Sequence, residues 1–177
     1  MNNLKIAITG RMGSGKSSLS KIIQDLEDAY VTSFSSMIRY IILELDLEPT
    51  RTLLQETGDF FRKFDNLVWA KALLKEISHI EKPVVIDGIR YDFERDKLVS
   101  AGFKIIKINS LDELRRQRIA SRDHLSITDS MWNDWQAHST EIYLDSIQAD
   151  YDVINNESFE HLKQQILPIL SHIKKTL

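Results

Sequence analysis

Residues 4–18 read LKIAITGRMGSGKSS, and this stretch decides the fold. Residues 4–9 form a short apolar run that predicts a buried β-strand. The glycine-rich turn Gly10–Ser17 follows and matches the pattern G-x-x-x-x-G-K-[ST] in full. From Ser17 to Leu26, apolar residues recur at helical spacing. The stretch therefore predicts a strand, a tight phosphate-binding loop and an amphipathic helix in direct succession.

Each part of this loop pattern has a physical task. Glycines let the backbone curl closely around a phosphate, and the following helix directs its positive N-terminal end at the anion. Lys16 is expected to reach the outer phosphates of a nucleoside triphosphate, and Ser17 to bind Mg²⁺. The predicted nucleotide-binding residues are Gly10, Gly13, Ser14, Gly15, Lys16, Ser17 and Ser18.

Composition narrows the class of protein. The 177 residues are 42% hydrophobic, which suits one compact domain. The net charge of −3 does not favour a nucleic-acid partner, and no apolar run approaches the ~18 residues of a membrane span. The chain has no cysteine, which excludes disulfides and thiolate metal sites and fits a cytoplasmic protein. A monomer and a homodimer both remain open.

Strand patterns and helix patterns alternate along the rest of the chain. This order predicts an α/β fold with a parallel sheet covered by helices on both faces, in which ligands bind at the carboxyl ends of strands. Helices are expected at 66–80, 111–122 and 140–148, among others, whereas 123–137 shows no clear period. A final helix, 159–173, contains Pro168, where we expect a kink.

Missing motifs separate the classes of phosphate-loop protein. The strings D-x-x-G and N-K-x-D, which GTPases normally carry, do not occur. Motor and transporter ATPases usually end an apolar strand with Asp-Glu, whereas the comparable segment here reads Val84-Val85-Ile86-Asp87-Gly88. These absences favour a small-molecule kinase.

Several patches, about half of the chain, resemble the nucleoside monophosphate kinase group. The glycine spacing of 10–16 is that of adenylate kinases, and 118–122, Arg-Ile-Ala-Ser-Arg, resembles their lid motif. Segment 35–39, Ser-Ser-Met-Ile-Arg, resembles their acceptor motif, with Ser36 in place of aspartate. Segment 87–90, Asp-Gly-Ile-Arg, resembles a third motif but lacks its proline. Residues 51–58 look like phage deoxynucleoside monophosphate kinases, and 149–156 resemble these and dephospho-CoA kinases alike.

The resemblance implies a three-layer P-loop NTPase fold with five parallel strands in the order 2-3-1-4-5. It also implies a helical acceptor-binding region at about 34–80 and a short lid at about 122–138. The implied reaction is ATP- and Mg²⁺-dependent transfer of the γ-phosphate to a small phosphorylated acceptor, most readily a nucleoside or deoxynucleoside monophosphate. ATP and GTP both remain open as the donor.

Roles for individual residues follow from the same resemblance. Arg39 and Arg90 are expected to bind the acceptor phosphate, because the planar guanidinium fork suits phosphate. Arg118 and Arg122, four residues apart on one helix face, are expected to clamp the transferring group. Asp87 is expected to orient Mg²⁺-bound water or the acceptor, with a helix N-cap as the alternative.

Other residues keep two interpretations each. Glu94 is expected to pair with Arg90, and Trp132 and Trp135 either cover an edge of the core or stack on a base. The remaining arginines of the same segments can be either ligand contacts or surface groups; they are Arg51, Arg62, Arg115 and Arg116.

Two further functions remain possible from the sequence alone. Dephospho-CoA or another small molecule, including an alcohol, would use the same phosphate loop. A nucleotide-binding regulatory module without turnover is the other possibility, since the acceptor motif has lost its aspartate. The set of lid arginines argues against that module, because a protein that only binds nucleotide has no use for them.

Overall fold

A computed structural model describes residues 3–176, apart from the side chains of residues 139 and 140. Its centre is a five-stranded parallel sheet with the strand order β2-β3-β1-β4-β5, which confirms the order 2-3-1-4-5. The strands are β1 (Lys5–Thr9), β2 (Tyr30–Ser33), β3 (Val84–Ile89), β4 (Lys104–Asn109) and β5 (Tyr151–Ile154). The α/β class predicted from the alternating pattern is therefore also confirmed.

Nine helices connect and cover these strands within the described residues. They are α1 (Lys16–Glu27), α2 (Phe34–Glu44), α3 (Arg51–Arg62), α4 (Val68–Glu76), α5 (Asp92–Ser100), α6 (Asp112–Asp123), α7 (Asp129–Ala137), α8 (Ser139–Ile142) and α9 (Phe159–Lys175). None of the helices within 3–176 is long and apolar enough to cross a membrane.

Four helices, α2, α3, α7 and α9, start at a side chain that caps the free backbone N–H groups. Ser33 and Ser36 form a reciprocal capping box at the start of α2. Thr50 and Thr128 accept from Leu53 N and Met131 N, at the starts of α3 and α7. Ser36, which stands where the resembled acceptor motif has aspartate, thus serves the backbone of its own helix.

Both faces of the sheet are buried in apolar clusters, as the continuous runs of Ile and Val predict. One cluster joins strand residues such as Ile86 and Ile105 to α2, α4 and α5. The other joins Ile8 and Ile106 to α1 and α9. A third, smaller cluster places Trp132 against Met12 and Ile119, so that α6 and α7 pack over the phosphate loop.

The structure departs from the sequence analysis in two segments, one without a predicted element and one predicted helix. The stretch 123–137, which shows no clear period, contains α7, because a nine-residue helix packed largely through Trp132 needs no regular apolar stripe. The helix expected at 140–148 is instead the four-residue α8 followed by a 3₁₀ turn, Tyr143–Asp145. Helix α9 runs through Pro168 as one element.

Register brings the ends of three strands together. Asp87 on β3 lies opposite Ile8 on β1 and Ser33 on β2. The pairing of β1 with β3 then shifts by one residue, so that Gly88, with φ of 96°, bulges out of the ladder. Asp87, the residue before the bulge, has its carboxylate beside Ser17 at the start of α1.

Candidate active site

The phosphate loop depends on glycine at two crowded positions. Gly13 has φ of 74°, and a Cβ there would lie 2.6 Å from the carbonyl oxygen of Arg115. Gly15 has φ of 100°, stands at the N-terminus of α1, and a Cβ there would overlap the Asn155 amide. No other residue fits such positive φ values against these neighbours. The loop therefore has the geometry that its sequence pattern predicts.

Lys16 lies across its own loop. Its Nζ donates to the carbonyl oxygens of Gly10 at 2.9 Å and Arg11 at 3.2 Å. Burial, followed by the charge of Arg90, lowers the pKa of Lys16 to about 8, against partial compensation from Asp87. Neutral carbonyls are weak partners for an ammonium group, and the low pKa means that the buried charge is poorly compensated. Lys16 is therefore ready to bind an anionic ligand, which would be a stronger partner.

Asp87 faces Ser17 across the mouth of the loop. Asp87 Oδ2 accepts from Ser17 Oγ at 3.5 Å, and Oδ1 is buried without a hydrogen-bond partner. Burial raises the pKa of Asp87, with Lys16 and Arg90 acting in the opposite direction. An orphaned carboxylate oxygen beside a hydroxyl suits Mg²⁺, which prefers oxygen ligands and keeps several waters.

The N-cap of α5 is Tyr91, so the N-cap alternative for Asp87 is wrong.

Larger clusters of metal ligands do not occur in the part of the chain that the structure describes. No group of three or more His, Asp or Glu side chains is arranged to hold an ion there. Any Mg²⁺ at this site would therefore depend on the pair Ser17 and Asp87 together with oxygens of a bound nucleotide.

Arg90 is paired with a residue that the sequence did not single out. Its Nη1 lies 2.6 Å from Glu141 Oε1, and Glu141 Oε2 accepts from the backbone N–H of Met12 at 3.0 Å. Glu141 is only 1% exposed. One buried carboxylate therefore joins α8, the phosphate loop and Arg90.

The expected pairing of Glu94 with the Arg90 guanidinium is replaced by another arrangement. Glu94 is fully buried, accepts from the Arg90 backbone N–H at 3.1 Å, and forms an ion pair with Arg62 at 2.9 Å. Arg62 also lies over the Tyr91 ring at 4.8 Å. Glu94 comes four residues after Arg90 at the start of α5, so its side chain folds back onto the backbone of the turn rather than onto the Arg90 fork.

The two arginines of α6 that match the resembled lid motif both lie at the cavity over the loop. Arg118 donates to Ser110 Oγ and to the carbonyl oxygen of Asn155, each at 2.9 Å. Arg122 pairs with its neighbour Asp123 at 2.6 Å. Both line the same cavity as Lys16. Arg118 is thus held by the scaffold, whereas Arg122 holds only an adjacent surface carboxylate.

Asn155 and Arg115 support the loop from beneath. Asn155 is 7% exposed and its Nδ2 donates to the carbonyl oxygen of Ser14 at 2.8 Å. Arg115 is 1% exposed, donates to the Met12 carbonyl at 3.2 Å and lies 5.1 Å from the Trp132 ring. Both are structural supports, which sequence spacing alone does not reveal, although 149–156 carried part of the resemblance.

A cavity of about 620 Å³ opens over the loop, and most of the predicted site residues line it. Its charged lining residues are Lys16, Arg51, Arg62, Asp87, Arg90, Arg118, Arg122 and Glu141. Phe34, Ile38 and Leu54 form an apolar part of the wall. Six cations face two carboxylates, so the cavity suits an anionic ligand with an apolar portion.

Arg39 is not among the residues that line this cavity. The apolar face of α2 buries Phe34, Ile38 and Ile42, which are spaced four residues apart. Arg39 follows Ile38 by one position, which turns its side chain away from that face and leaves it exposed. The structure therefore does not bring Arg39 together with the other predicted site residues.

The model of one family covers most of the chain, residues 6–143, and its description is AAA domain. The chain belongs to the AAA domain family. Among its relatives, a UPF0200 protein of Sulfurisphaera tokodaii is 29% identical over 95% of this chain and 96% of its own length.

Solved structures place the fold of this AAA domain protein among P-loop kinases. The shikimate kinase of Acinetobacter baumannii has a TM-score of 0.65 at 19% identity, covering 97% of this chain and 95% of that one. A gluconokinase of Sinorhizobium meliloti has a TM-score of 0.65 at 15% identity, covering 98% and 94%. At these identities the likeness is one of fold alone.

Proposed function

We propose that this AAA domain protein is an ATP- and Mg²⁺-dependent kinase that transfers the γ-phosphate to a small phosphorylated acceptor, a nucleoside or deoxynucleoside monophosphate. One observation carries the proposal. The cavity over the phosphate loop is lined by Lys16, Arg90, Arg118 and Arg122, which reach it from the loop, the end of β3 and α6. In phosphoryl transfer, the protein mainly positions two anions and neutralises their charge. The four cations of this cavity can do both.

The chain's own residues divide the work in this proposal. Lys16 would leave the carbonyls of its loop and bind the outer phosphates of ATP. Ser17 and Asp87 would hold Mg²⁺, which supplies neutralisation of the phosphate charge when bound. Arg90 would bind the acceptor phosphate. An acceptor oxygen then attacks the γ-phosphorus, the bond to the β-phosphate oxygen breaks, and ADP leaves with that electron pair.

The apolar wall gives the acceptor a second anchor. Phe34, Ile38 and Leu54 lie on α2 and α3, within the region 34–80 that we predict to bind the acceptor. A planar base or another apolar group would bury surface against them, at roughly 25 cal/mol per Å². A bare inorganic anion would leave this wall without a partner, so the lining favours an organic phosphate.

The test is a coupled assay of ADP release with ATP and Mg²⁺. The acceptor panel contains all ribo- and deoxynucleoside monophosphates and dephospho-CoA, with shikimate and gluconate as unphosphorylated alcohols. We expect strong stimulation by one nucleoside monophosphate and none by the alcohols. Stimulation by an alcohol alone would replace the proposed acceptor class. Silence across the panel with ATP binding intact would leave a regulatory nucleotide-binding module as the better account.

A further inference from the structure

Arg51 is a cavity-lining cation on the first turn of α3. Its guanidinium carbon lies 4.5 Å from the centre of the Trp135 ring, and Nη2 lies 2.8 Å from Met12 Sδ. A thioether is a weak acceptor, and a ring face only partly replaces water around a cation. Both contacts are therefore weak for a charged group that is withdrawn from solvent.

Most other arginines of the cavity are matched by a carboxylate. Arg62 pairs with Glu94, Arg90 with Glu141 and Arg122 with Asp123. Across residues 3–176, Arg51 has no ion pair, and its Nε is buried without a hydrogen-bond partner. An unpaired, partly buried cation costs free energy, so it persists best where a ligand supplies the missing anion.

The surroundings of Arg51 increase its demand for an anion. Burial lowers the pKa of Arg51; Arg90 and Arg122 act in the same direction, whereas Glu141 and Asp123 oppose them. A guanidinium remains charged at any ordinary pH despite such a shift. Three cations, namely Arg51 and its neighbours Arg90 and Arg122, therefore lie near only two carboxylates, so positive charge is in excess there.

The position of Arg51 indicates which anion it meets. Met12 belongs to the phosphate loop, and the guanidinium group of Arg51 contacts its side chain. We infer that Arg51 binds the terminal phosphate of the nucleoside triphosphate, exchanging the Met12 sulfur for phosphate oxygens. This inference rests on the proposed function only in that a triphosphate occupies the loop. It assigns to α3 a contact that the resemblance placed on α6.

Binding without turnover tests the inference. Isothermal titration calorimetry with Mg²⁺ gives the Kd of ADP and of the non-hydrolysable β,γ-imido analogue of ATP. For Arg51→Gln we expect affinity for the analogue to fall roughly 10-fold or more, because a charge-assisted contact is lost. Affinity for ADP should stay within about twofold, since ADP has no terminal γ-phosphate for Arg51 to hold.

The matched control is Arg95→Gln. Arg95 pairs with Asp96, donates to the Gln148 carbonyl, and does not line the cavity. Neither Kd should change in this variant. Arg51→Lys keeps the charge without the fork, so it should lose part of the preference for the analogue. If Arg51→Gln does not fold, the ratio of the two Kd values for Arg51→Lys decides the question.

Two results would overturn the inference in different ways. If wild-type protein binds both nucleotides but Arg51→Gln weakens both equally, or neither, Arg51 does not hold the terminal phosphate and the proposed function still stands. If wild-type protein binds neither nucleotide, the proposed function fails and the role of Arg51 fails with it.

Discussion

Glu141 and Met12 are 129 positions apart in the chain, yet a carboxylate oxygen of Glu141 accepts from the Met12 backbone N–H at 3.0 Å. The second oxygen of the same carboxylate holds Arg90 at 2.6 Å. The tip of the phosphate loop and an arginine at the end of β3 therefore share one buried anion. Changes at Glu141 should therefore alter the protein's stability and its binding of the proposed acceptor together.

For Glu141→Gln we expect a clear loss of stability. Removing the charge leaves Arg90 without its paired carboxylate, and breaking a buried ion pair costs about 3–5 kcal/mol. For a chain of this size that corresponds to a fall in Tm of roughly 6–20 °C by calorimetry. The control Glu48→Gln changes an exposed side chain and should leave Tm within about 1 °C. An unchanged Tm for Glu141→Gln would show that this carboxylate does not stabilise the loop.

Nucleotide affinity should depend on the protonation of Lys16. Because the pKa of Lys16 in the free protein is about 8, the ammonium loses its proton as pH rises through this value. We expect Mg²⁺–ATP affinity to be lower at pH 9 than at pH 7. Lys16→Arg, whose guanidinium stays charged, should lose this pH dependence even if its affinity is lower. A wild-type Kd that is constant from pH 7 to 9 would contradict the prediction.

The same shift has a consequence for folding. Between about pH 8 and the ordinary lysine value of 10.5, the unfolded chain binds the Lys16 proton and the folded chain does not. The contribution of Lys16 to the free energy of unfolding should therefore increase as pH rises across this window. Comparing denaturant midpoints of wild type and Lys16→Met between pH 7.5 and 10 isolates the contribution, since the variant has no proton to lose. Parallel pH profiles would show that Lys16 titrates alike in both states.

Asp87→Asn should separate function from stability. Burial raises the pKa of Asp87, which means that the folded site disfavours the charged carboxylate, so replacement by a neutral amide should raise Tm. The same change removes the carboxylate beside Ser17, so turnover in the proposed kinase reaction should fall by roughly 100-fold or more, on the order of other electrostatic site deletions. Asp134→Asn, at an exposed position of α7, is the control and should alter neither property.

Arg118 and Arg122 should respond differently to truncation. Arg118→Ala removes hydrogen bonds to Ser110 and the Asn155 carbonyl, so we expect a lower Tm as well as lower turnover. Arg122→Ala breaks only a pair with the adjacent Asp123, so we expect lower kcat with Tm within about 2 °C. Equal losses of Tm in both variants would mean that Arg122 also holds the scaffold.

The sequence by itself determined the fold and the phosphate loop. The loop needs glycine where φ is positive and a lysine at one fixed spacing, so the pattern over 10–17 is readable without any partner. Apolar strands alternating with amphipathic helices likewise require a parallel sheet. Asp87 and Arg90 could be singled out because segment 87–90 resembles a kinase motif and follows a predicted strand, whose carboxyl end is where ligands bind in a parallel sheet.

The tertiary structure alone decided how charges pair across the site. Glu141, Asn155 and Arg115 reach the loop from distant segments, and no local pattern marks a side chain whose partner lies over a hundred residues away. The same packing turned Arg39 to solvent and brought Arg51 over Met12. Helix phase and crossing geometry fix which arginine faces the cavity, and these depend on the whole core rather than on the neighbouring residues.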